Sequence, residues 1–301
     1  IYHYILTIIM TDSEPITKDV TGLQFSIMSP EEIRKQSVVE ITKHETYDKD
    51  IPVVKGLFDS RMGTTDMGRT CNTCGLDNLG CPGHFGHIEL AKPVYNYHFI
   101  DITTKILKCI CFRCGKLKIN KESKSIQQLK KKSNKKRWAD IYELSSGISR
   151  CGEENDDGCG CIQPHRYKLD GIDGIQTIWK DLEIPVSDSY LTAEYVKTLF
   201  EKISDEDCNL LGFSSVWCRP EWLICSVFPV PPPAMRPTVK QGDSQRMDDD
   251  LTHKLSEIVK YNNSLKTKIN SFARKEIIED WYNMVVYHII TFIDNEQQGI
   301  S

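Results

Sequence analysis

Nine of the twelve cysteines lie between Cys71 and Cys161, and they open with the spacing Cys71-x-x-Cys74-x6-Cys81-Pro82-Gly83-His84. A Cys-x-x-Cys turn lets two thiolates reach one ion, and zinc takes four sulfur or imidazole ligands in a tetrahedron, with zinc–sulfur bonds of about 2.3 Å. Three cysteines and a histidine fill that sphere. No position is left for an activated water, so the spacing predicts a structural site. His87, three residues past His84, competes for the fourth place, and the shorter Cys-x-x-His turn favours His84. The surrounding residues 55–86 are rich in Gly, Asp, Asn and Thr and carry little regular structure of their own. Metal ligation supplies what packing there does not, and a loop of merely free thiols fits the two paired turns poorly.

A second set begins at Cys111-x-x-Cys114-Gly115 and is completed by Cys151 and either Cys159 or Cys161. The intervening insertion is long, but loop-closure entropy grows only with the logarithm of length, so it is tolerable. Cys109 is a spare, placed at the end of a short strand. Cys208, Cys218 and Cys225 sit among apolar neighbours and read as small buried hydrophobes. This usage suits a reducing compartment, where thiols bind metal rather than cross-link. The apolar opening 1–10 lacks the basic start and cleavage site of a secretory signal. It reads as a non-native or mis-assigned extension, with Met10 the start and 11–19 a polar lead-in. No run reaches the roughly 18 apolar residues of a membrane span, so no membrane partner is expected.

The formal net charge of −4 gives no global attraction to a polyanion, so any nucleic-acid contact must be local. One basic cluster exists. Residues 116–137 hold ten Lys and Arg against the single acid Glu122. Within it, Lys130, Lys131, Lys132, Lys135, Lys136 and Arg137 are the candidate phosphate contacts, non-specific because stacking aromatics are sparse. The competing reading is a solvated, mobile loop.

Alternation predicts a strand over 23–28, and Ser29-Pro30-Glu31-Glu32 marks a helix start. Helices are predicted around 138–142 and over 191–203, strands over 214–228, and a rigid extended connector at Pro229-Val230-Pro231-Pro232-Pro233. Leu251, Leu255, Ile258, Leu265 and Ile269, then Ile278, Trp281, Val285, His288 and Phe292, recur at helical spacing on two segments. They predict an antiparallel helical hairpin turning near 270–273. Asp248-Asp249-Asp250 before it could suggest a magnesium site, but acids there are better read as a helix cap and first turn.

These residues also carry a family resemblance. The string Cys81-Pro82-Gly83-His84-Phe85-Gly86-His87-Ile88-Glu89-Leu90-Ala91-Lys92-Pro93-Val94 resembles the first zinc motif of the largest subunit of multisubunit DNA-dependent RNA polymerases of the RNA polymerase II type. Phe25 to Arg34, Gly56-Leu57, Arg61-Met62-Gly63, Leu211-Gly212-Phe213, Arg219-Pro220-Glu221-Trp222, the proline run and Arg236-Pro237 match in the family's order. The resemblance covers about 23–295. It implies a mixed α+β, irregular, zinc-stabilised clamp with an antiparallel coiled-coil hairpin, which encloses template DNA and the RNA–DNA hybrid and docks initiation and elongation factors. It implies two structural zinc ions, one on Cys71, Cys74, Cys81 and His84, the other on Cys111, Cys114, Cys151 and Cys159. Gly158-Cys159-Gly160 with Gln163-Pro164 resembles the family's last ligand, whereas Cys161 departs from its pattern.

The implied organisation is a lead-in (1–22), a clamp base with the first zinc loop (23–110), a second zinc site with the basic insertion (111–170), a clamp core with the proline connector (171–248) and the hairpin (249–301), stopping before the lid and rudder. The resemblance implies membership of a nucleotidyltransferase, partnered by other polymerase subunits, the second-largest above all. The family's catalytic magnesium sits on an Asn-Ala-Asp-Phe-Asp-Gly-Asp motif absent from this sequence, so no catalytic residue is expected here. A free-standing zinc-ribbon module is the alternative; a zinc hydrolase is disfavoured by the closed first site. Abundant Ile, Lys and Asn suggest an AT-rich genome and lean slightly to a large DNA virus, with a cytoplasmic factory or virion as its place rather than the nucleus of a cellular enzyme.

Overall fold

The computed structural model describes residues 22, 25–121, 123–153, 158–171, 174–180, 189–241, 245–294 and 296. The lead-in 1–21 and the first residues of the predicted strand at 23 and 24 lie outside them. No strand forms over 25–28. Alternation alone cannot make one without a neighbour to complete its ladder.

Helix α1 (Pro30–Gln36) starts as its sequence requires. The Ser29 hydroxyl accepts from the Glu32 N–H at 3.1 Å, the Glu32 carboxylate accepts from the Ser29 N–H at 2.9 Å, and Pro30 sits where no donor is needed. The short pair β1 (Tyr47–Asp48) and β2 (Ile51–Pro52) follows, then a long irregular stretch holding only a 3-10 turn at Ser60–Met62. Strand β3 (Gly86–Tyr95) leads through α2 (Ile100–Cys109), α3 (Lys124–Leu129) and α4 (Asn134–Ser146) to the antiparallel sheet of β4 (Arg166–Leu169), β5 (Ile175–Ile178) and β6 (Tyr190–Leu191). Cys109 closes α2 rather than a strand, because the apolar residues of 100–109 recur at helical spacing and face one core. The insertion read as a mobile loop is folded.

Next come α5 (Ala193–Glu201), capped by Thr192, and α6 (Asp205–Leu210), capped by Ser204. Of the strands predicted over 214–228, only β7 (Ile224–Val230) forms. Pro220 starts a 3-10 turn before it and fixes the backbone away from the sheet. Strand β7 pairs antiparallel with β3 alone, so Pro229, opposite His87, lies on an edge where its missing donor is harmless. The connector is therefore part strand, and Pro233–Met235 is a 3-10 turn. After the pair β8 (Val239–Gln241) and β9 (Gln245–Met247), Asp249 accepts from the Leu251 N–H and caps α7 (Asp250–Asn270). A turn at 271–274 joins it to α8 (Lys275–Ile293).

Two hydrophobic cores result. One gathers α2, α4, α5 and α6, with Ile119, Ile126 and Leu129 of the insertion buried in it. In the other, Leu255, Ile258, Val259 and Leu265 of α7 and Val285, Val286, Ile289 and Ile290 of α8 pack with β3, β7, Leu57, Phe58 and Met62. The contacts Lys254–Thr291 and Tyr261–His288 show α7 and α8 running antiparallel, while Leu251 at the mouth of the pair is exposed. Where the β3–β7 register shifts between Glu89 and Val94, buried Asn262 of α7 substitutes for the strand. It accepts from the Ala91 N–H at 2.8 Å and donates to the Glu89 carbonyl at 2.9 Å. A buried backbone needs such partners.

Candidate metal centres

The two Cys-x-x-Cys turns fold alike. In each, a backbone N–H two residues after the first cysteine donates to its sulfur at 3.4 Å, from Thr73 to Cys71 and from Arg113 to Cys111. The glycine after the second cysteine returns an N–H to the first cysteine's carbonyl, at 2.8 Å for Gly75 and 3.0 Å for Gly115. Both glycines have left-handed φ, +72° and +76°, which a side chain would strain. The result in each case is a thiol facing inward on a rigid turn.

The ligand atoms of Cys71, Cys74, Cys81 and His84 all lie within 4.8 Å of one another, as do those of Cys111, Cys114, Cys151 and Cys159. A tetrahedron with bonds of about 2.3 Å has edges of about 3.8 Å. Cys81 Sγ lies 3.7 Å from His84 Nε2, Cys111 Sγ lies 3.5 Å from Cys159 Sγ, and Cys114 Sγ lies 3.8 Å from Cys151 Sγ. Disulfide sulfurs sit at about 2.05 Å, far closer. The donor set, soft sulfur with one imidazole, suits zinc, and either cluster could hold one ion.

The competitors point elsewhere. His87 lies on β3, with Nδ1 2.7 Å from the Ser37 hydroxyl and Nε2 3.6 Å from Glu89. Cys161 turns its thiol to the Ile162 carbonyl at 3.3 Å. Cys208 is buried, while Cys218 and Cys225 are only partly so.

In the second cluster, burial pushes the Cys111 thiol up, but N–H groups of Cys114 and Arg113 and the neighbouring thiols outweigh it and bring it to about 7. Burial, and then the field of Cys111, drives Cys151 to about 12. One thiolate forms readily and raises its neighbours; a dication at the centre would relieve that repulsion.

Supports around the clusters had no spacing signal. Gln163 donates to Cys111 Sγ at 3.3 Å and to the Cys161 carbonyl at 2.9 Å, and accepts from the Phe112 N–H at 2.8 Å. Only the neighbouring Gln163-Pro164 string hinted at it. Lys118, 5% exposed and next to the same thiols, donates to the Ile148 carbonyl at 3.4 Å. At the first cluster, buried Asp59 accepts from the Lys55 and Arg61 N–H groups and pairs with the Arg61 guanidinium at 2.8 Å. That fixes the carbonyls of Arg61 and Met62, which receive the Thr73 hydroxyl at 2.6 Å and the His84 N–H at 2.9 Å.

The six basic candidates divide. Arg137 donates to the Asn209 and Leu210 carbonyls at the end of α6, Lys132 pairs with Asp140 at 2.8 Å, and Lys130 lies 3.6 Å from Glu206. Lys131, Lys135 and Lys136 are exposed, with no carboxylate partner among the described residues. No helix among the described residues is long and apolar enough to cross a membrane.

A family model described as RNA polymerase Rpb1, domain 1, matches residues 17–301. The DNA-directed RNA polymerase II subunit RPB1 of Euplotoides octocarinatus is 38% identical over 301 residues, which covers 97% of this chain and 62% of the relative. The DNA-directed RNA polymerase subunit Rpo1N of Methanocaldococcus jannaschii is 38% identical over 296 residues, covering 95% of this chain and 21% of the relative. The chain thus spans less than two thirds of the first relative's length and about a fifth of the second's.

Proposed function

The chain belongs to the RNA polymerase Rpb1 domain 1 family, and from that premise we propose that it is the N-terminal clamp region of the largest subunit of a DNA-directed RNA polymerase. The observation that carries the reading is a family match running through both cysteine clusters and both long helices. Zinc on Cys71, Cys74, Cys81 and His84, and on Cys111, Cys114, Cys151 and Cys159, would tie irregular loops to the folded cores. With four protein ligands each, neither ion would have a position for a reacting water.

In this reading the chain helps to enclose template DNA and the RNA–DNA hybrid. Helices α7 and α8 serve as the clamp coiled coil, to which initiation and elongation factors dock, and Lys131, Lys135 and Lys136 offer phosphate contacts. Lys130, Lys132 and Arg137 are held by other groups and contribute less. Nucleotidyl transfer belongs to the assembled enzyme, in the nucleus, with its magnesium held by residues outside this chain.

A tagged chain in its native cell should copurify with the second-largest polymerase subunit and with template-dependent RNA synthesis. Recovery free of every other polymerase subunit would sink the proposal in favour of a free-standing zinc module. Metal analysis should give close to two zincs per chain. Cys159→Ser should lower that to one and Cys161→Ser should leave it at two; the reverse pattern would reassign the last ligand.

A further inference from the structure

Beside the second cluster, outside its ligand sphere, lies an open cavity of about 470 Å³ lined by Phe112, Arg113, Arg150, Cys161, Trp179 and Tyr195. Its walls come from distant parts of the chain, brought together by the cysteine turn at 111–114, the bridge between Arg150 and Ile162, the end of β5 and helix α5. The aromatics are mutually braced. Phe112 meets Trp179 edge-on at 5.5 Å and Tyr195 at 5.4 Å. The Tyr195 hydroxyl donates to the Phe112 carbonyl at 2.7 Å and the Trp179 indole N–H to the Thr177 hydroxyl at 3.1 Å. With these polar atoms engaged inside the protein, the rings offer a visitor chiefly their apolar surfaces.

Among the described residues the charge is one-sided, and no carboxylate lines the cavity. Arg150 is exposed and partly spent on the Gly160 carbonyl at 3.2 Å, and exposed Arg113 has no carboxylate partner among the described residues. A flat apolar group next to an anion satisfies both features, and an unpaired nucleotide is such a group. Bases stack on aromatic faces regardless of sequence, and guanidinium groups hold the phosphate.

We propose that this cavity binds an unpaired nucleotide of a single-stranded nucleic acid, its base against the Phe112, Trp179 and Tyr195 wall and its phosphate at Arg113 and Arg150. The choice of nucleic acid over an acidic aromatic peptide rests on the role proposed above. The cavity and its charge do not.

The test is fluorescence anisotropy of the zinc-loaded 301-residue chain with a labelled single-stranded oligouridylate, and in parallel with an RNA duplex, with UMP and with an acidic peptide containing tyrosine. Trp179→Leu should weaken oligouridylate binding roughly five- to hundredfold, the loss of one stacked base. Arg113→Gln should weaken it too and reduce the salt slope by about one. Neither change should alter duplex binding, which reports the basic segment and with it the nucleic-acid-enclosing role. Should Trp179→Leu lose zinc or fold poorly, Arg113→Gln, altered only at an exposed side chain, decides alone. Unchanged oligouridylate affinity in Arg113→Gln would overturn the proposal even if the duplex still binds. So would UMP binding as tightly as the strand, or pocket substitutions that weaken only the peptide.

Discussion

Replacing Arg236 with methionine tests what ties the loop of the first cysteine cluster to the long helices. Arg236 is fully buried, donates to the carbonyls of Leu57 and Pro231 and to the Thr252 hydroxyl, and lies over the Phe58 ring at 4.9 Å. Burial lowers its pKa from the usual 12.5 to about 10, which corresponds to a cost of about 3 kcal/mol for keeping the charge inside. Against that stand three hydrogen bonds from a charged donor, each worth about 1.5–3 kcal/mol. Methionine removes the charge and its cost but orphans two carbonyls and a hydroxyl in the core. The balance is a loss of about 3 kcal/mol, large beside a total stability of about 5–15 kcal/mol. Urea denaturation should show it. The loss should also be local, because the Leu57 loop leads directly to the Arg61 and Met62 carbonyls that hold the first cluster. Zinc release to a chromogenic chelator should quicken for one ion and not the other. Arg236→Met matching or exceeding the wild type in stability would mean that the acceptors are satisfied without the guanidinium and that Arg236 does not hold this junction.

Gln163→Leu should weaken metal retention at the second cluster alone, by about 10- to 100-fold in chelator competition, since it removes a donor to Cys111 and strands the Phe112 N–H. Gly75→Ala meets nothing within 4 Å and should lose only the left-handed backbone term of about 1–2 kcal/mol. Gly115→Ala would also place its Cβ 2.9 Å from that of Lys202 and 3.0 Å from the Leu199 carbonyl, so its urea midpoint should fall further. For Asp59, burial raises the carboxyl pKa, but Arg61 and the backbone donors outweigh it and the folded value lies below the ordinary one. The stabilisation is therefore complete above the unfolded pKa of about 4 and lost as pH falls through the lower folded value. Asp59→Asn should flatten that part of the stability–pH curve, and an unchanged slope would dismiss the assignment.

Local chemistry made some of this legible and distance hid the rest. Ser29-Pro30-Glu31-Glu32 and Asp249 announce their helices because a cap is complete within four residues. The Cys-x-x-Cys turns do the same for the clusters. Gln163 and Lys118 carry no such mark, since what they support is defined only once 111–118 and 148–163 have met. The basic segment looked like a loop because its partners lie far along the chain: Lys121 pairs with buried Asp207 at 2.5 Å, and Arg137 reaches the end of α6. Arg236 defeats composition altogether, because an arginine is almost never fully buried unless paired.

If both clusters hold zinc as proposed, they stabilise the chain by different means, and metal removal should separate them. Between 64 and 85 the only buried residue is Cys71, so apart from metal ligation that loop is held by hydrogen bonds and ion pairs, such as Arg246 with Asp66 at 2.9 Å, rather than by apolar packing. The segment between Cys114 and Cys151 instead buries Leu117, Ile119, Ile126, Leu129, Ile141 and Ile148 in the core shared with α2 and α5. Burying a side chain of that size contributes about 1.5–3 kcal/mol, so several together outweigh the closing of the loop by zinc. After exhaustive chelation, limited proteolysis should therefore cut first within 64–85, while 117–148 stays protected until the whole core unfolds. Early cleavage in 117–148 would mean that zinc, rather than packing, folds the insertion.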